Sequence, residues 1–274
     1  MTVTIADIEK AAKTIGDDVI RTPTVAAPGL SREAGCEIYL KLESLQLTGS
    51  FKARGARNRL GAIDPAATNG VIACSAGNHA QGVAFFAERM GFAATIVMPR
   101  ETPFAKITRT ERYGARVILE GDSFAAALDH TRELAVRDNL TFIPPYDDDL
   151  IIAGQGTAGL EIGQDAPELE AILIPIGGGG LIAGCAIALK ARVPSVEIIG
   201  VEAAQYASMK AALAGHEIEA TGTTLAEGIA VKTPGTRTLP IVRKLVDDIV
   251  TVDEPEIEAA VELMASPCRR LPRP

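Results

Sequence analysis

"IPIGGGGLIAG", Ile174 to Gly184, runs from a β-branched stretch through four consecutive glycines into a helical pattern. A strand that turns at once into a helix, with no side chain on the turn, is the βα corner of an α/β sheet. Glycine lets the backbone approach a ligand closely and aim several N–H groups at one anion, and the helix N-terminus adds its partial positive charge. A phosphate is expected there. The same window satisfies G-x-G-x-x-A through Gly178, Gly180 and Ala183, with Glu202 about twenty residues on, so a dinucleotide cofactor is a rival at this point.

Outward from this corner, short apolar runs alternate with amphipathic segments along the chain. "EIYLKLE", "GVIACS", "ATIVMP", "ARVILE", "AILIPI", "VEIIGVE" and "DIVTV" predict a mainly parallel sheet flanked by helices. The part from Cys74 to Pro145 reads as a βαβαβ unit of its own, with helices from Asn78, Pro103 and Ser123. It predicts a small domain, 74–145, inserted into a large domain made of 1–73 and 146–274. Near the end, Ile257, Ala260, Val261 and Met264 fall at i, i+3, i+4, i+7 and predict a helix with one apolar face. The final "SPCRRLPRP" is too rich in proline to add a strand or helix.

The 274 residues suffice for a sizeable core, and 47% apolar with 23% charged residues is ordinary for a soluble globular protein. A formal charge of -8 argues against nucleic acid as partner, because phosphate backbones require clustered positive charge. No stretch predicts a membrane span, and "MTVTIADIEKAAKTIGDD" lacks the apolar core of a secretory signal, so a cytoplasmic protein is expected. Cys36, Cys74, Cys185 and Cys268 form no C-x-x-C pair and have no neighbouring histidine, which excludes a zinc pattern; Cys185 reads as core.

Three further windows hold chemistry-bearing residues. "CSAGNHAQGVA", Cys74 to Ala84, is a second strand-to-helix turn whose N–H groups from Ser75 to His79 suit a carboxylate, with Asn78 read alternatively as the helix N-cap and His79 as a structural histidine. "AGQGTAGLEI" places Gln155, Gly156 and Thr157 at another turn or helix start. "LAEGIAVKTPG" leaves Glu227 either an ion-pair member or a site residue. In "TGSFKARGARNRL", Lys52 reads first as a surface cation alongside Arg54, Arg57 and Arg59 on a solvated helix. If it is buried among cations, its pKa falls and the neutral amine can form a Schiff base with an aldehyde.

"SFKARGA", "SAGNHAQGVA", "PPYDDDLIIAGQGT", "GGGGLIAG" and "AEGIAVK" together, in this order, resemble the fold-type-II pyridoxal-phosphate enzymes, and among them the threonine dehydratase and serine dehydratase–serine racemase family. The similarity runs from about Ile5 to Ala265, and it displaces the dinucleotide reading. It implies two open twisted mainly parallel sheets with flanking helices, as in the tryptophan synthase β-subunit. It implies pyridoxal 5'-phosphate held by Lys52 as a Schiff base, Phe51 against the pyridine ring and Asn78 on the ring hydroxyl. The phosphate would lie on Gly177, Gly178, Gly179, Gly180 and Leu181. The substrate carboxylate would lie on Ser75, Ala76, Gly77, Asn78 and His79 when the mobile small domain closes. The implied reaction is loss of water from L-threonine or L-serine, giving a 2-oxo acid and ammonia, in a homo-oligomeric enzyme, dimer or tetramer, acting on small amino acids.

Departures from the family pattern sharpen the expectation. Serine racemases carry a serine, as the second acid–base group, at the position that is Ala76 here, which favours elimination over racemisation. 3-Hydroxyaspartate is an alternative substrate. Glu202 matches a cation ligand of racemase-like members, but the acidic partner six residues later is replaced by Ser208, so no metal is expected. Family members continue past Ala265 with a further helix and strand that "SPCRRLPRP" does not resemble. The large domain is therefore expected to be C-terminally incomplete, with a catalytically impaired chain as the alternative to an active dehydratase.

Overall fold

The computed structural model describes residues 3–218, 220 and 222–265; the tail "SPCRRLPRP", including Cys268, lies outside the described residues. The chain opens with α1 (Ile5–Ile15), started by a capping box between Thr4 and Asp7. β1 (Thr24–Ala26), α2 (Pro28–Ala34), β2 (Tyr39–Lys41) and α3 (Lys52–Leu60) follow. β1 and β2 pair antiparallel as a separate ribbon. Then come β3 (Val71–Cys74), α4 (Asn78–Arg89), β4 (Ala94–Met98), α5 (Phe104–Glu111), β5 (Arg116–Leu119), α6 (Phe124–Arg137) and β6 (Thr141–Phe142). They form a four-stranded sheet in the order β5-β4-β3-β6, parallel throughout.

α7 (Asp149–Asp165) leads to β7 (Ala171–Pro175), α8 (Gly180–Arg192), β8 (Glu197–Ala203), α9 (Ser208–Leu213), α10 (Thr238–Leu245), β9 (Asp248–Val252) and α11 (Glu254–Ala265). β7, β8 and β9 form the second sheet, also parallel. The α/β architecture with two parallel sheets and flanking helices agrees with the sequence. Parallel strands covered on both faces read as continuous apolar runs, and every residue of Val71–Cys74 is fully buried. One core joins α3 and α4 to the first sheet, and another joins α8 and α10 to the second.

α7 corrects the sequence reading. Gln155, Gly156 and Thr157 stand in the middle of a 17-residue helix started by the Asp148 side chain, not at a turn. Its glycines are there for close packing: a Cβ on Gly154 would lie 2.6 Å from Gly55 Cα, one on Gly156 2.9 Å from Gly184 O, and one on Gly159 2.8 Å from Cys185 Cα. The backbones of α3 and α8 therefore approach α7 without side chains between them, and that burial outweighs glycine's low helix propensity. The amide of Gly55 donates to Gln155 Oε1 at 3.2 Å, so the buried glutamine joins α7 to α3.

Two more corrections concern exposure. α3 is largely buried, and Arg54 is 0% exposed rather than on a solvated face. α11 forms as predicted, but the expected apolar face is uncovered among the described residues, with Val261 57% and Met264 52% exposed. No described helix is long and apolar enough to cross a membrane.

Candidate active site

Lys52 is the first residue of α3, preceded by Phe51 as N-cap. Its half-buried side chain donates from Nζ to the carbonyl of Pro145 at 2.8 Å, and Nζ lies 5.3 Å from the centroid of the Phe51 ring. Burial lowers its pKa to about 8, because removal from water penalises the ammonium form. A neutral amine is therefore available near neutral pH. Since the shift is downward, reactivity toward an aldehyde rises with pH and levels off above 8. The rate of Schiff-base formation with pyridoxal phosphate, followed by absorbance, is expected to rise about tenfold from about pH 7 to 9 and then flatten. A rate still climbing with near-unit slope at about pH 9 would mark an ordinary lysine.

The turn between β3 and α4 lies beside Lys52, because α4 packs on α3 closely enough that a Cβ on Gly82 would stand 3.4 Å from the Lys52 backbone. Gly77 is the N-cap of α4 and Asn78 its first residue, so Asn78 is not the cap; its side chain is exposed. The amide of Ser75 continues the sheet by donating to Val97 O at 3.2 Å, and the amide of Gly77 donates to Ser75 Oγ at 3.2 Å. The donors this turn can present to a carboxylate are thus the amides of Ala76, Asn78 and His79 and the Ser75 hydroxyl. The His79 ring is buried, with Nε2 at 3.0 Å from Ile143 O, which makes Nε2 the protonated nitrogen. Burial first, and the Lys52 charge second, push its pKa down to about 3. His79 is neutral and structurally committed, as the sequence suggested.

The glycine loop closes the far side. Gly179 has φ of 92°, in the left-handed region, and a Cβ there would stand 2.6 Å from Met209 Cε. α8 begins at Gly180, and the amides from Gly178 to Leu181 have no carbonyl partner among the described residues. Four donors at the open end of a helix form a phosphate-sized cradle. The Gly178 carbonyl, in contrast, is anchored by Thr238 Oγ1 at 2.7 Å and the Gly235 amide at 3.2 Å.

Two other residues singled out from sequence resolve as ion-pair or capping groups. Glu227 meets Lys106 of α5, Oε2 to Nζ 2.6 Å, in an exposed pair that ties the first sheet's helices to the loop beside Gly177. Glu202 is buried and accepts the amides of Met209 at 2.8 Å and Lys210 at 2.9 Å, capping α9, while Ser208 Oγ donates to Val231 O at 2.8 Å. Among the described residues no cluster of metal-binding side chains occurs. Sequence reasoning missed Pro145, Tyr146 and Thr238, which hold Lys52 and the glycine loop through contacts with no local signature.

The chain is 46% identical over 262 residues to an L-threonine ammonia-lyase of Thermotoga maritima, covering 94% of this chain and 65% of that protein. The structure of a T.th. threonine deaminase superposes with a TM-score of 0.90 at 40% identity, covering 95% of this chain and 86% of that one. Maize serine racemase superposes with a TM-score of 0.91 at 34% identity, covering 96% and 80%. A family profile described as pyridoxal-phosphate dependent enzyme matches residues 15–274, and the chain belongs to that family.

Proposed function

We propose that the chain is a pyridoxal-phosphate-dependent dehydratase that removes water from L-threonine, or from L-serine, to give 2-oxobutanoate or pyruvate and ammonia. The observation that carries this reading is Lys52 Nζ, its pKa lowered to about 8, set between a carboxylate-sized turn and a phosphate-sized glycine loop. The donor set fits the cofactor: an amine for its aldehyde, free amides from Gly178 to Leu181 for its phosphate, and the Phe51 ring for its heterocycle. Bound pyridoxal phosphate supplies a carbonyl that condenses with amines and a conjugated ring that takes up negative charge at the α-carbon.

The protein's own groups do the rest. In this reading Lys52 Nζ would hold the cofactor's aldehyde carbon and, once exchanged for the substrate amine, would take the α-proton. Asn78, exposed at the start of α4, would hold the ring hydroxyl. The Ser75 hydroxyl and the amides of Ala76, Asn78 and His79 would hold the substrate carboxylate, with the expected donor Gly77 instead shaping the turn as N-cap through its bond to Ser75 Oγ, and with His79 neutral and fixed by its bond to Ile143 O. Protonated Lys52 then gives its proton to the departing β-hydroxyl. Ala76 has no proton to exchange on the opposite face, which supports elimination rather than racemisation. Residues 74–145 act as the small domain that closes to exclude water, and the exposed Lys106–Glu227 pair is weak enough to open. The free thiols of Cys36, Cys74 and Cys185 suit the reducing cytoplasm.

Incubation of the cofactor-loaded protein with L-threonine, L-serine and D-serine tests the proposal. The expected result is 2-oxobutanoate from L-threonine and pyruvate from L-serine. Inverted serine without a 2-oxo acid would assign a racemase instead, and no product from any of the three would defeat the dehydratase reading.

A further inference from the structure

The segment Pro145–Asp147 joins the two halves of the site. The Pro145 carbonyl accepts Lys52 Nζ at 2.8 Å. The next side chain, Tyr146, turns to the glycine loop, where its ring fills the space that a Cβ on Gly178 would need; a Cβ on Gly180 would stand 3.1 Å from Tyr146 Cβ. The far end of the ring is fixed as well, because the Tyr146 hydroxyl donates to Thr233 O at 3.1 Å. Asp147 then accepts the amides of Thr236 at 3.0 Å and Arg237 at 2.8 Å, and the Thr236 hydroxyl at 2.9 Å. Gly178 is thus held on two sides: the Tyr146 ring packs on its Cα, while Thr238 and Gly235 bind its carbonyl.

The bare α-carbon of Gly178 is accordingly explained by an aromatic ring, not by a ligand. Four successive glycines have the widest backbone freedom of any sequence, yet an anion cradle works best when its amides converge before the anion arrives, since ordering them on binding costs affinity. Something must restrict the loop, and the Tyr146 ring is the side chain that does so from the lysine side.

We propose that Tyr146 is a positioning residue for the cofactor's phosphate: its ring pins Gly178 so that the amides from Gly178 to Leu181 converge on one anion. The proposal rests on the pyridoxal-phosphate reading above. It predicts selectivity between two aldehydes that differ only in the phosphate, which a merely structural role would not produce.

Titration of wild type, Y146F, Y146L and Y146A with pyridoxal 5'-phosphate and separately with pyridoxal, reading the Schiff-base absorbance, tests it. Y146F keeps the ring and is expected to bind pyridoxal phosphate within about threefold of wild type, whereas Y146A weakens it by about tenfold or more. Pyridoxal, which makes no use of the cradle, is expected to bind Y146A within about threefold of wild type. Y146L gives the same contrast if Y146A does not fold. Unchanged affinity of Y146A and Y146L for pyridoxal phosphate would overturn the proposal, as would an equal loss for both aldehydes. Wild type that takes up neither aldehyde would instead defeat the cofactor reading on which the proposal stands.

Discussion

Replacing Lys52 with alanine is expected to lower turnover of L-threonine by about a thousandfold or more, with little change in stability. The amine has two tasks in the proposed reaction, holding the cofactor and carrying the α-proton, and no neighbour can assume either. His79 has its Nε2–H committed to Ile143 O and a pKa of about 3. Ala76 has no exchangeable proton, and Lys106 is paired with Glu227. The fold tolerates the change because the Lys52 ammonium is already penalised by burial, so its removal takes away a group that water would stabilise better. K52R is expected to be equally inactive, since a guanidinium stays charged and cannot condense with an aldehyde. Unfolding midpoints alongside steady-state rates separate loss of chemistry from loss of fold.

Arg54→Ala is expected to be the most damaging single substitution for stability, by about 3–5 kcal/mol. The side chain is 0% exposed and joins three parts of the chain. Its guanidinium donates to Glu43 at 2.9 and 2.8 Å, and to Glu161 at 2.6 and 2.9 Å, with Thr157 Oγ1 at 3.2 Å. Burial alone would lower its pKa, but the hydrogen bonds and charges of Glu43 and Glu161 raise it, so it is always charged. Removing it leaves the largely buried Glu43 without an ion-pair partner among the described residues and Glu161 with Lys41 alone, at 2.7 Å, and the uncompensated charge on Glu43 is costlier than the pair itself was worth. R54K keeps the charge but not the planar fork, and an intermediate loss is expected in urea denaturation. A midpoint unchanged in R54A would mean that the network is not holding α3 to α7.

What was legible in the sequence was local. "VIACS", "ATIVMP" and "AILIPI" became parallel strands because residues covered on both faces must be apolar in succession. The two turns, Ser75 to His79 and Gly177 to Gly180, were readable because a strand-to-helix corner with free amides needs small residues. What escaped depends on partners far along the chain. Arg54 reads as a surface cation until Glu161, 107 residues away, is seen against it. "AGQGTAG" reads as a turn until α3 and α8 are found packed where Cβ atoms would be. Tyr146 lies in the window "PPYDDDLIIAGQGT" but nothing local gives its side chain a task, and its contacts become visible only when its ring is found on Gly178 and the preceding carbonyl on Lys52.

Borohydride reduction of the protein saturated with pyridoxal phosphate, followed by digestion and mass spectrometry of the modified peptide, tests the central claim most directly. One adduct is expected, on Lys52 in the peptide containing "SFKAR", with the absorbance of the Schiff base lost on reduction. An adduct on a different lysine, or no adduct at all, would contradict it.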